Sequence, residues 1–228
     1  MDGLTMLAVA AGSFVVTHFL LSHPLRAPIV KALGPNGFMA VYSVVALATL
    51  GWTAHAFRKA PATAPYWEVS GGLWAVVSAV MLLASLLLMG SLIGNPALPG
   101  PAVATAPVPR RAFTITRHPM MWAMALWALC HIAIYPIAAN IILAASILVL
   151  ALVGSLLQDA KKAALQPDMW PEWEARTSWL PFAAIISGRT KLGGFRPHDW
   201  AGALVLWLAA TWAHIPAAGI AAGLWRWL

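Results

Sequence analysis

The chain has 228 residues, of which 61% are hydrophobic and only 9% charged, with a net charge of +7. A soluble domain carries roughly 25% charged residues, and surface-to-volume limits leave a soluble fold no means of hiding so much apolar surface. Lipid is therefore the expected solvent, a soluble enzyme is excluded, and the single cysteine, Cys130, excludes a disulfide framework or a multi-cysteine metal site.

The expected fold class is all-α, a polytopic transmembrane bundle of about six spans, read as one integral membrane unit over residues 1–228. Six runs approach the roughly 20 apolar residues that cross the hydrocarbon core as a helix: Leu4–Ser22, Gly37–Phe57, Gly72–Ile93, Met120–Pro136, Asn140–Leu157 and Trp200–Ala222. Their patterning lacks the alternation of barrel strands. Asp2 precedes the first run with no basic stretch before it, so that span is expected to be retained rather than cleaved. No fixed-period repeat is apparent, which argues against a duplicated transporter.

The connections carry the orientation. Between the third and fourth spans, Pro96, Pro99, Pro101, Pro107 and Pro109 predict an extended crossing of the surface. Gln158–His198 is the largest non-membrane part, and its apolar patch Trp179–Ile186 is too short to span and is expected at the interface or re-entering. Arg26, Lys31, Arg110, Arg111, Arg117, Lys161, Lys162, Arg176, Arg189, Lys191 and Arg196 fall on one side, and only Arg58, Lys59 and Arg226 on the other. That bias of eleven to three makes the first side cytoplasmic, in an inner, energy-conserving membrane, and places both termini outside. Cations in such positions set orientation, so no nucleic-acid partner is expected. Many of the thirteen tryptophans lie near span ends, as interfacial anchors do.

Ionisable groups inside a membrane are functional candidates by default. The proposed spans hold no acidic residue, which argues against a carboxylate proton relay, but they hold four histidines. His18 lies near the inner end of the first span, His55 near the outer end of the second, and His131 and His214 deep in the fourth and sixth. His23, His118 and His198 mark the cytoplasmic boundary. Neutral imidazole is a common ligand to haem iron and to metals, whereas the bland alternative is a helix–helix hydrogen bond. Thr116-Arg117-His118-Pro119-Met120 opens the fourth span, with Pro119 suited to a helix's first turn. It reads either as a positively flanked helix start or as an anion or cofactor contact at a helix N-terminus. Met124, Trp127 and Ala128 share a helical face with His131, while Cys130 points about 100° away as a packing residue. Glu172, Glu174 and Arg176 read as a solvated or headgroup-facing run.

The Thr116–Pro119 element, with the tryptophan-rich span ending in Cys130-His131, resembles the NnrU family of bacterial membrane proteins, relatives of the plastid zeta-carotene isomerase. Further matching blocks are Arg176-Thr177-Ser178-Trp179-Leu180-Pro181-Phe182-Ala183-Ala184-Ile185 and Thr17-His18 with Leu25-Arg26 and Leu33-Gly34, so the resemblance runs over most of the chain. It implies a role in denitrification, in nitrite and nitric oxide respiration, and a haem b held by His18 and His131, with His118 and Arg117 matching the family's Arg-His-Pro element as further cofactor-binding residues. It also implies a haem-dependent isomerase or oxidoreductase activity, on an apolar polyene or quinone-like substrate. The isomerase has a cysteine where this chain has Ala128 and a histidine near Leu150, which argues against isomerase chemistry here. Depth separates the implied ligands: His18 is about four residues from the inner edge and His131 about twelve, a mismatch of roughly 12 Å. By depth His214 and His55 match His131 better. Two other classes compete: a membrane S-adenosylmethionine-dependent methyltransferase of isoprenylcysteine type, which shows paired acids where this chain has Gln158-Asp159, and a non-catalytic assembly protein bound to respiratory partner proteins.

Overall fold

The computed structural model describes residues 1–98 and 105–228; of the proline-rich connection, Pro99 and Pro101 lie outside the described residues. The described residues are helical with no strands. In chain order the helices are α1 (Gly3–Ser22), α2 (Arg26–Lys59), α3 (Gly71–Ser91), α4 (Ala112–Ile115), α5 (Pro119–Ile134), α6 (Ala138–Leu165), α7 (Trp170–Arg176), α8 (Ala183–Ile186) and α9 (Pro197–Ala218), followed by a 3-10 turn, Gly223–Arg226. Five of these, α1, α2, α3, α6 and α9, are long and apolar enough to cross a membrane, and α5 is a shorter apolar helix. This is the expected helical membrane bundle of about six spans.

Local chemistry sets the boundaries. The Asp2 carboxylate accepts from the Thr5 amide at 2.9 Å, and the Ser70 hydroxyl from the Leu73 amide at 3.2 Å, so α1 and α3 begin on side-chain caps. α2 starts eleven residues before the expected span because a short basic helix precedes it. The two pieces meet at Gly34, whose φ of +72° suits only glycine, and Pro35 opens the second piece at a position where its missing N–H costs nothing. α9 ends at Ala218, four residues short of the expected Ala222, and is capped by Gly219 in the left-handed conformation. The chain then turns back, and Trp225 donates its indole N–H to the Leu208 carbonyl at 3.1 Å.

In lateral order the spans pack as α2, α1, α6, α5, α3 and α9. Without a hydrophobic drive between helices in lipid, close approach relies on small residues. Ala10, Ala56, Ala84, Ala123, Ala139 and Ala203 are all buried at these contacts. Large apolar side chains point outward instead: Leu47 and Val205 are 68% and 67% exposed, toward where lipid would lie.

The length of α6 has a consequence. Its 28 residues extend ~42 Å, against a hydrocarbon core of ~30 Å. The last two turns, which hold Asp159, Lys161 and Lys162, therefore project beyond the core at the cation-rich end.

Candidate functional site

At that end the structure builds a polar cap around the start of α5. Arg117 donates from Nε to Asp159 Oδ2 at 2.8 Å and lies 2.7 Å from the same oxygen through its terminal nitrogen. It also reaches Glu174 Oε1 at 3.3 Å. His118 donates from Nε2 to Asp159 Oδ1 at 2.7 Å, so one carboxylate holds both residues of the Arg-His pair. His118 is buried, and its Nδ1 has no partner. The backbone is fixed as firmly: Arg117 N–H donates to the Ser178 carbonyl at 2.8 Å, while Thr116 Oγ1 and the Trp122 indole both donate to the Trp179 carbonyl at 2.8 Å.

Two expectations change here. Arg117 and His118 do not stand free at headgroup level but are neutralised inside the cap, and neither presents an open positive face to an anion. Glu174 is drawn into the same network, and Glu172 accepts from the Ala106 amide at 3.1 Å and pairs with Arg176, so this run is only partly solvated. The Trp179–Ile186 patch docks through its backbone on α4 and α5, with Phe182 N–H donating to the Ile115 carbonyl at 2.8 Å. Its Leu180, Phe182 and Ile186 side chains stay exposed, as suits an interface. A second buried ion pair, Arg111 to Asp199 at 3.4 Å, joins α4 to the start of α9.

Four of the remaining six histidines divide between two clefts. The first lies between α1, α2, α5 and α6, encloses about 300 Å3, and takes His18, Tyr42, Met121 and Met124 into its wall. The second lies between α3, α5 and α9, encloses about 80 Å3, and contains His131, His214, Trp127 and Trp207. His131 and His214 face each other with ring centroids 5.9 Å apart and ring planes at 29°. Trp127 stacks on His131 at 4.1 Å. His55 is exposed on α2 and lines neither cleft, and His198 is exposed at the start of α9.

Three of these imidazoles share one feature. His18 Nδ1 lies 2.7 Å from the Phe14 carbonyl, His131 Nδ1 2.8 Å from the Trp127 carbonyl, and His214 Nδ1 2.8 Å from the Ala210 carbonyl. A carbonyl oxygen only accepts, so Nδ1 carries the proton in each ring. In the neutral ring Nε2 then holds the lone pair, on the ring edge away from its own helix, the form that binds a metal.

The pairing implied by the resemblance, His18 with His131, is not the one that the structure assembles. His18 stands level with Met121 and Met124, which precede His131 on α5 by ten and seven residues, or roughly 10–15 Å along the axis. That agrees with the depth mismatch legible in the sequence, and His214 takes the place beside His131. Met124 does not join the His131 cleft although the two share a helical face. Crossing helices give one face different neighbours along its length. Ala128 is fully buried, and Cys130 is buried as a packing residue.

The donor set tests what could bind. Among the described residues no group of three or more His, Cys, Asp or Glu could hold a metal ion. A pair of imidazoles completes a coordination sphere only when the other ligands arrive with the metal, as the four nitrogens of a porphyrin do. Two metal–nitrogen bonds of about 2 Å each, with roughly 1.1 Å from each nitrogen to its ring centre, put the centroids roughly 6 Å apart. The observed 5.9 Å is of that length, but the rings are stacked at 29°, and ligation requires each to turn its Nε2 edge toward a common metal. The enclosed volume of the cleft is smaller than a porphyrin, so the macrocycle would have to use the open side, where His214 is half-exposed.

Fold and clefts together define a polytopic helical membrane protein with an inter-helical histidine pair. The family model described as NnrU protein matches residues 6–222, nearly the whole chain, and the chain belongs to the NnrU family. No curated protein and no solved structure matches it at a significant level.

Proposed function

We propose that this NnrU protein binds a b-type haem through His131 and His214 and serves nitrite and nitric oxide respiration in a bacterial inner membrane. The observation that carries the reading is the facing pair itself: two imidazoles on different helices, 5.9 Å apart, each with Nδ1 on its own helix and Nε2 free. Bound haem would supply one-electron exchange at its iron, at a potential set by the axial ligands and their surroundings.

The chain's own residues have defined parts in this. The Trp127 and Ala210 carbonyls hold the two rings in one tautomer and one orientation, and by accepting from Nδ1 they make Nε2 a better donor. Asn140 Nδ2 donates to the His131 carbonyl at 2.8 Å and to the Tyr135 carbonyl at 2.7 Å, which fixes the end of α5 beneath the ligand. Trp127 and Trp207 line the cleft, and the Trp207 indole is pinned to the Ser78 carbonyl at 3.1 Å. With the cation-rich end cytoplasmic, as the charge bias directs, the pair lies in the periplasmic half and both termini are periplasmic.

The test is an absorption spectrum of the detergent-purified protein, oxidised and dithionite-reduced, for wild type and for His131→Ala, His214→Ala and His18→Ala. The expected result is a Soret band with sharp reduced α and β bands, lost in the first two variants and kept in the third. A colourless wild type expressed with ample haem overturns the proposal. Loss in His18→Ala with retention in His214→Ala moves the second ligand to His18.

A further inference from the structure

The cations at the basic end are not treated alike. On the α4, α7 and α8 side four guanidinium groups have partners: Arg111 pairs with Asp199 through one terminal nitrogen, Arg117 with Asp159 and Glu174, Arg176 with Glu172, and Arg189 donates to three backbone carbonyls. On the α1, α2 and α6 side the pattern stops. Among the described residues neither Arg26 nor Lys161 has a carboxylate within 4.0 Å. Arg26 rests on the Phe38 ring, 5.5 Å from its centroid, and is close enough for its charge to be felt at Lys161 and Lys162. Lys162 donates to the Pro96 carbonyl at 2.9 Å, a neutral partner that leaves its charge uncompensated. The nearest acid along the chain, Asp159, is already held by Arg117 and His118.

Of these cations Lys161 is part of the wall of the larger cleft, and the Arg26 charge reaches it there. Both α1 and α6 run toward the basic end, and their cleft-facing residues change character in the same direction. On α6 the series goes from Ile147 and Leu150 through Gly154 to Lys161; on α1 it goes from Phe14 to His23. The 14 residues from Ile147 to Lys161 span roughly 21 Å, enough for a headgroup and most of an acyl chain. Burial and the neighbouring Lys161 charge hold the His23 imidazole below its usual range, so His23 adds no cation at neutral pH and the mouth's charge rests on the lysines and Arg26. Gly154 keeps the middle open: nothing but the edge of Phe19, at 3.7 Å, would meet a Cβ there.

We propose that this cleft is a binding site for an anionic phospholipid, with the phosphate at Lys161 and Arg26 and one acyl chain lying along α6 past His18. The site is separate from the His131–His214 pair and does not depend on haem. An apolar floor alone would accept any chain, including a neutral polyene or quinone; the unpaired cations select the charge. Each lysine or arginine near a membrane surface strengthens the binding of an anionic lipid by about fivefold, so two favour it over a zwitterionic one by on the order of 25-fold.

The experiment is native mass spectrometry of the delipidated full chain, offered equal amounts of phosphatidylglycerol and phosphatidylcholine with matched acyl chains. Wild type is expected to retain the anionic lipid preferentially. Lys161→Gln and, independently, Arg26→Gln should each cut that preference about fivefold, while Lys191→Gln, an exposed cation at the same end, leaves it unchanged. Gly154→Leu should lower retention of both lipids by filling the cleft. Equal retention of the two lipids by wild type overturns the proposal, as does an equal loss in Lys191→Gln. Displacement of the lipid by millimolar inorganic phosphate overturns it too, since the cations would then be reading a free anion. Haem content in the same samples reports the His131–His214 pair separately.

Discussion

His118 and His131 bracket the same helix, and their fates differ at one atom. His118 spends Nε2 on the Asp159 carboxylate and is sealed under the cap. His131 turns Nδ1 to its own backbone and leaves Nε2 without a hydrogen bond in a cleft that a second imidazole enters. His118 is buried and His131 partly buried, but burial alone does not say which of them can bind a metal. What separates a locking histidine from a ligand-competent one is which nitrogen the protein has already used. A carboxylate opposite Nε2 makes the ring part of the scaffold; a carbonyl on Nδ1 aims the ring and keeps its lone pair available.

The comparison breaks most visibly at Asp159. Removing one member of a buried, hydrogen-bonded charge network leaves its partners uncompensated, at a cost of about 3–5 kcal/mol. Asp159→Ala is therefore expected to give the largest loss of thermal stability of any substitution discussed, because it strands both Arg117 and His118. Glu174, at 3.3 Å, recovers only part of the Arg117 interaction. Thermal unfolding in detergent is the measurement. The double variant Asp159→Leu with Arg117→Leu should lie closer to wild type than Asp159→Ala does, since it removes the stranded Arg117 charge and leaves only the His118 nitrogen without its acceptor and the half-exposed Glu174 to water. A drop in apparent Tm no greater than that of an exposed substitution would mean that the cap does not hold α5.

How far the sequence discloses this depends on the residue. The spans are legible because lipid demands long apolar runs, and the six expected segments correspond to α1, α2, α3, α5, α6 and α9. The cap is not. Asp159 lies two residues past the expected end of its span, where an acid reads as solvated; only the overshoot of α6 beyond the membrane thickness brings it back against Arg117. The one available signal was its isolation as the sole acid in a long helix that is otherwise apolar until its last turns. The depth of His131 relative to His18 could be counted from the span edges, and the structure agrees with the count. That His214 is the neighbour depends on α9 packing beside α3, and no spacing within one helix encodes which helices are adjacent.

A smaller effect is expected where the two ends of α5 are compared at the backbone. Asn140 is buried and satisfies two carbonyls of the last turn, those of His131 and Tyr135. Asn140→Ala leaves both without that donor, at a cost of about 1–3 kcal/mol. Unlike the Asp159 substitution, it should also disturb the ligand, because the His131 backbone loses its anchor. The expected outcome is a modest fall in Tm together with weaker or spectrally altered haem binding in a titration with hemin. An unchanged haem spectrum alongside the Tm loss would show that the Trp127 carbonyl alone is enough to aim the ring.

The smallest effect belongs to the Glu172–Arg176 pair, and it sharpens the contrast within the cap itself. The pair lies one helical turn apart on α7, with side chains 39% and 42% exposed. Water already solvates both charges, so their mutual attraction is offset by the entropy of holding two long side chains, and an exposed pair of this spacing contributes about 0.3–0.5 kcal/mol. Glu172 has one further partner, the Ala106 amide. Glu172→Gln keeps an acceptor for that amide while removing the charge, so its Tm should lie within about 1 kcal/mol of wild type in stability, and raising the salt concentration should erase most of what remains. The Asp159 network, with Arg117 and Asp159 side chains only 13% and 10% exposed, is screened much less and should keep its contribution at the same salt. Parallel thermal melts of Glu172→Gln and Asp159→Ala at low and high salt thus separate the two kinds of ion pair. If both variants converge on wild type as salt rises, the Arg117–Asp159 pair is solvated in solution and the cap is looser than its geometry indicates.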